Sequence, residues 1–184
     1  MLNWKFFPVD SQHLTFIGET CPRLQKLHIK DLGPELGGQD DPSAEGSPVF
    51  HGSNHRQLFS DLVSLHLHGR FWNPQVILPL VLTSATKITK LSLLNITFKA
   101  SMDKSFVKVL KSNKLSNIVS INLDSGCFLS IELLRRLIFG CEKLTSFSFG
   151  QSETLDINDV ERLTLEVANK NLDIKLCCLE MFNN

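Results

Sequence analysis

The sequence predicts an α/β fold, a right-handed solenoid of parallel strands and helices, on three observations. An apolar-x-x-apolar-x-apolar pattern recurs in register at Leu24 (LQKLHI), Leu62 (LVSLHL), Ile88 (ITKLSL), Ile118 (IVSINL) and Leu144 (LTSFSF). With a worn sixth copy at Leu172 (LDIKL), successive anchors stand 38, 26, 30, 26 and 28 residues apart. Four of these intervals lie near the length of one strand plus one helix. Several of the intervening stretches carry apolar residues at helical spacing.

Taken in order, Leu2, Trp4 and Phe6 alternate as a strand does, and Leu14, Phe16 and Ile17 suit a short helix closing near Cys21. The strand at Leu24 comes next. From Gly33 to His55 the chain carries five glycines, three prolines, four acidic residues and no Lys or Arg. Such a stretch buries too little apolar surface to order itself, so 33–55 is expected to be a disordered insertion. Removing about a dozen of its residues restores the repeat period. Ser47-Pro48 within it is an ordinary loop dipeptide that also fits a phosphorylation site.

After the second strand, 74–85 offers Val76, Ile77, Leu80, Val81 and Leu82 as an apolar face, with Pro79 predicting a kink. The helix expected over 101–112 turns Met102, Phe106, Val107, Val109 and Leu110 inward, and Ser101 supplies its N-cap. A helix over 130–140 presents Ile131, Leu133, Leu134, Leu137 and Ile138, leaving Glu132, Arg135 and Arg136 for solvent. Gly140 is expected to stop it as a left-handed residue. A last helix, about 158–169, leads to the worn strand. The whole chain, 1–184, is therefore one solenoid of about six units, each the unit of a leucine-rich repeat.

Strands stack about 4.8 Å apart, whereas helices with side chains are about 10 Å across. The helical side is forced wider, so the predicted horseshoe segment places its strands on the concave face. Residues alternating with the apolar ones then point into the concavity. They are Lys26, His28 and Lys30; Ser64, His66 and His68; Lys90, Ser92 and Leu94; Ser120, Asn122 and Asp124; Ser146, Ser148 and Gly150. The first half of this face is basic and histidine-bearing, the second small, polar and slightly acidic. Lys26, His28, Lys30, His66, His68, Lys90, Asn122 and Asp124 are the candidate partner-binding residues, for an acidic or phosphorylated protein segment. Solvated strand lysines account for the same pattern more simply, since no arginine sits on the strip. Phe71-Trp72, past the second strand, is a candidate rim anchor or a cover for the core between units.

Composition narrows the function classes. Nineteen basic residues balance nineteen acidic ones, so no global field draws in nucleic acid or a membrane surface. No apolar run of about 18 residues exists, and the N-terminal residues lack the features of a signal peptide. The five cysteines are odd in number and have no zinc or redox spacing, so reduced thiols in cytoplasm or nucleus are expected. Asn95-Ile96-Thr97 matches a glycosylation acceptor by chance in that setting. A phosphate-cradling glycine loop, GxSxG, HExxH and paired CxxC are all missing. Asp10, Ser11 and His13, or Asp159 and Glu161, are better explained as solvated loop or cap residues than as acid–base pairs. His28, His66 and His68 lack an acidic or thiol partner for a metal. No enzyme activity, cofactor or metal is expected.

Cysteines close two helices just before a strand, in Cys21-Pro22-Arg23-Leu24 and Cys141-Glu142-Lys143-Leu144. This resembles the cysteine-containing repeats of F-box/LRR proteins, ribonuclease-inhibitor-like in architecture. The resemblance covers nearly all of the chain outside 33–55. It implies the substrate-recognition region of a Skp1–cullin–F-box ubiquitin ligase receptor, gripping its substrate on the concave surface and C-terminal end. No F-box segment is present, so Skp1 is a partner only if one lies upstream. The remaining helix ends carry Ser60, Thr86 or Lys114 where the family has cysteine. Both ends of the solenoid read as uncapped, which is expected of a fragment of a longer protein. The alternative is a stand-alone scaffold or inhibitor-type binding protein with no ubiquitin link.

Overall fold

The structure is a computed structural model that describes residues 1–5, 11–30, 58–69, 80–95, 115–123, 130–150, 155–170 and 172–179. In chain order the elements are β1 (Leu2–Lys5), α1 (Ser11–Thr20), β2 (Lys26–Lys30), β3 (Ser64–His68), β4 (Lys90–Leu94), β5 (Ser120–Leu123), α2 (Ile131–Gly140), β6 (Ser146–Gly150), α3 (Ile157–Asn169) and β7 (Lys175–Leu179). Residues 80–84 are also helical. The expected insertion at 33–55, the kink at Pro79 and the helix at 101–112 lie outside the described residues.

Seven strands form one sheet in the order β1 to β7, every pair parallel and every neighbour next in sequence. It does not close into a barrel. Parallel neighbours need a crossover of a dozen or more residues, which each interval between anchors supplies. The register superposes the repeats: Leu27, Leu65, Leu91, Ile121, Phe147 and Leu176 form one row across the sheet. The next inward row is Ile29, Leu67, Leu93, Leu123 and Phe149.

These two rows, apart from the partly buried Leu176 at the end of the first, are buried and belong to a single core with the apolar faces of the helices. Leu14 and Ile17 come from α1, Leu133, Leu134, Leu137 and Ile138 from α2, and Leu163 and Val167 from α3. The anchors Leu24, Leu62, Ile88, Ile118 and Leu144 complete it. Helices therefore pack behind the sheet, and the alternate residues of β2 to β6 remain half-buried or exposed in front, except Gly150, which is buried.

A main-chain device repeats with the anchors. The carbonyl just before one strand accepts two successive N–H groups from the next unit. Gln25 O takes Val63 and Ser64, Val63 O takes Thr89 and Lys90, Thr89 O takes Val119 and Ser120, and Val119 O takes Thr145 and Ser146, all between 2.8 and 3.1 Å. The backbone thereby locks each strand's start to its neighbour, which satisfies groups that would otherwise be left unpaired at a sheet end.

Before each anchor the chain makes a tight turn. Leu24 N–H donates to Cys21 O, Leu62 to Phe59, Ile118 to Leu115 and Leu144 to Cys141, each at 3.0 Å. The positions equivalent to the two cysteines are thus Phe59, Ala85 and Leu115, not the expected Ser60, Thr86 and Lys114. Phe59, Ala85, Leu115 and Cys141 are all buried. The turn aims this side chain into the core, so it selects for an apolar group or a thiol rather than a polar cap.

Four further expectations are corrected. The sixth unit is shifted by one residue: Ser146 pairs with Lys175, so the position matching Leu144 is Asp173, and Leu172 is exposed. Phe16 is 65% exposed, because at one residue from Ile17 it turns off the face that Leu14 and Ile17 bury. Gly140 remains within the last turn of α2 and is not left-handed. The extended Cys141 ends that helix (φ −104°, ψ 91°). Arg135 is only partly exposed, since Glu166 of α3 accepts from its Nε at 3.0 Å and from its Nη2.

Caps begin two of the described helices, α2 and α3. Ser130 accepts from Leu133 N–H at 3.2 Å, and Asp156 accepts from Asn158 N–H at 3.1 Å. These bonds satisfy N–H groups that a helix cannot pair internally.

Candidate functional site

The strand register converts the recurring pattern into a surface with three rows. The first is Lys26, Ser64, Lys90, Ser120, Ser146 and Lys175. The second is Asn3, His28, His66, Ser92, Asn122, Ser148 and Cys177. The third runs Lys5, Lys30, His68 and Leu94. Of the sequence-derived candidates, Lys26, His28, Lys30, His66, His68, Lys90 and Asn122 lie together on this face. Asp124, Phe71 and Trp72 lie outside the described residues.

Contacts knit the middle row. The rings of His28 and His66 meet edge to face, with centroids 4.1 Å apart. Partial burial first, then the neighbouring His28 and His68, hold the pKa of His66 below its usual 6.5. The charged form of His66 is thereby disfavoured. Further along, Ser148 Oγ donates to Asn122 Oδ1 at 2.8 Å. Between them Ser92 Oγ is shielded from solvent and has no hydrogen-bond partner among the described residues. A shielded hydroxyl without a partner is costly to leave so.

Charge on the face is one-sided. Lys26, Lys90 and Lys175 are exposed and Lys30 is half-buried. Among the described residues none of the four pairs with a carboxylate. The described ion pairs lie elsewhere: Lys87 with Asp61 at the turns before two anchors, Arg136 with Glu132 on α2, Arg162 with Asp159 on α3, and Arg135 with Glu166 between these helices. Lys175 reaches the face only because the last unit is shifted by one residue. The expected decline from basic to acidic along the face is thereby replaced, over the described residues, by lysines at both ends. The one-residue shift was not legible in LDIKL, where Leu172 competes with Leu176 for the anchor register.

No cluster of three or more His, Cys, Asp or Glu able to hold a metal occurs among the described residues. Asp159 serves the ion pair to Arg162, and Glu161 is exposed on the same helix. No helix among the described residues is long and apolar enough to cross a membrane. No protein-family model, curated protein or solved structure matches the chain.

Proposed function

We propose that the chain is a leucine-rich-repeat solenoid, right-handed and curved, whose outward strand face docks a protein partner. One observation carries the reading: seven parallel strands stand in chain order, and β2 to β6 each bury one set of alternate residues and present the other in aligned rows. A sheet built this way grows by adding units at its edge, so its front is a strip of side chains that lengthens with every unit. Such a strip suits an extended contact better than the enclosure of a small molecule.

Within that class we propose the substrate-recognition region of an F-box/LRR ubiquitin-ligase receptor. The support is the thiol at the turn before two anchors, Cys21 and Cys141, in the position that the other units give to a core-facing group. Skp1 enters only through an F-box elsewhere in a longer product. Proximity labelling with the full-length transcript product tests this. Recovery of Skp1 and a cullin is the expected result; partners without either leave a stand-alone binding scaffold. The docking face is tested separately by replacing Lys26, Lys30 and Lys90 with Glu, which is expected to abolish partner capture. Unchanged capture by a folded triple variant removes the face from the contact.

A further inference from the structure

We infer that the outward strand face takes an acidic, carboxylate-bearing protein segment lying across the strands, with lysines as the regular contacts and the histidines of β2 and β3 as proton-dependent ones. The inference rests on the docking reading and names the chemistry of its partner. Its basis is charge: Lys26, Lys30, Lys90 and Lys175 stand on one face without a carboxylate partner among the described residues. None of the described outward positions is Asp or Glu. The described acids in ion pairs, Asp61, Glu132, Asp159 and Glu166, all lie off this strip.

Spacing favours several carboxylates over one phosphate. Strands lie about 4.8 Å apart, so Lys26 on β2 and Lys90 on β4 are roughly 10 Å from each other, and Lys90 and Lys175 on β7 roughly 14 Å. One phosphate cannot engage all three of them, and among the described outward residues no arginine offers it a bidentate grip. An extended segment advances about 3.3 Å per residue. Acidic residues about three and then four positions apart therefore match these lysines.

The histidines add a proton requirement. His66 faces His28 from β2 and Ser92 from β4, with Ser64 and His68 on its own strand. Among the described residues, the ionised groups nearest His66 by register are Lys26, Lys30 and Lys90, all cations. Binding of carboxylates and protonation of the cluster then favour each other, by linkage.

The test is fluorescence anisotropy with the full chain and a labelled peptide of about ten residues, long enough at ~3.3 Å per residue to cross the sheet. It carries Glu at the matching spacing on a Ser/Gly background. The control has Gln for every Glu, and a third peptide has phosphoserine for Glu. The Glu peptide is expected to bind, to weaken with salt, and to lose about two- to five-fold in affinity for each of Lys26→Gln, Lys90→Gln and Lys175→Gln. Affinity is expected to rise between pH ~7.5 and ~5.8, where glutamates stay ionised and histidines take up protons. That rise is expected to vanish in the His28→Gln/His66→Gln variant, with its circular dichroism melt showing that it is folded. Equal binding of the Gln control, or indifference to all three lysine changes, overturns the proposal. So does preference for the phosphoserine peptide by about ten-fold or more. If Ser120→Trp or Ser148→Trp abolishes capture of a cellular partner while the Glu peptide does not bind, the docking face stands and the acidic partner falls.

Discussion

At the scale of single residues, two glycines in helices call for opposite outcomes from one substitution. A Cβ at Gly18 meets Leu58 Cβ at 2.8 Å and its carbonyl oxygen at 3.1 Å, so α1 packs against that segment only because the side chain is missing. At Gly140 a Cβ meets nothing within 4 Å, and the backbone is helical. Gly140→Ala is expected to stabilise by about 0.4–1 kcal/mol through lower unfolded-state entropy, and Gly18→Ala to destabilise by about 1–3 kcal/mol through overpacking. Urea unfolding of both variants checks the pair of signs. Cys141 is buried at 3% exposure, and burial alone pushes its pKa up to about 12. Little thiolate exists at neutral pH, so alkylation of Cys141 is expected only on unfolding, as mass spectrometry of the labelled native and urea-unfolded chain shows. For His66, the folded pKa lies below the ordinary 6.5, so the unfolded chain binds the proton more tightly. Its contribution to stability is full above pH 6.5 and is lost as pH falls through that value toward the folded one. The loss between pH ~7.5 and ~5 is expected to be smaller in His66→Gln, measured by urea midpoints at each pH.

Among elements, the strongest described link between helices is Arg135 of α2 with Glu166 of α3, a two-point contact with about a third of each side chain exposed. Solvent screening keeps it modest: Glu166→Gln is expected to cost about 0.5–1 kcal/mol, less at high salt. The strand starts depend instead on the shared carbonyls of Gln25, Val63, Thr89 and Val119, which no side-chain substitution removes. That division explains what was legible. Strand positions came from LxxLxL because a period of two leaves one buried and one open set. Helix ends were placed less well, since Ser60, Thr86 and Lys114 were read as standing where Cys21 and Cys141 do, while the turn before each anchor asks for a buried side chain one residue away.

For the molecule as a whole, each interior strand is held from both sides, while β1 and β7 have one neighbour each. Stability in a stack of this kind is the sum of intrinsic terms and neighbour terms. Hydrogen exchange is expected to be slowest in β3 to β5 and fastest in β1 and β7. Phe147, fully buried in β6, joins the last units to the rest of the core. Phe147→Ala is expected to cost about 3–5 kcal/mol and to raise exchange in β6 and β7 more than in β2 and β3. Equal rates across all strands contradict the neighbour picture.

The sequence by itself determined the repeating unit, the alternation that separates core from surface, and the class of residue facing outward. All three depend on spacing along the chain, and Leu24 to Leu144 state that spacing five times. Register decided the rest. It put His28 against His66, moved the sixth unit by one residue so that Lys175 joins the outward row, and set a core-facing group at the turns before the anchors. Pairing of strands many residues apart is a choice among near-equivalent alignments, and a worn repeat such as LDIKL offers more than one. Only packing of the whole sheet selects between them.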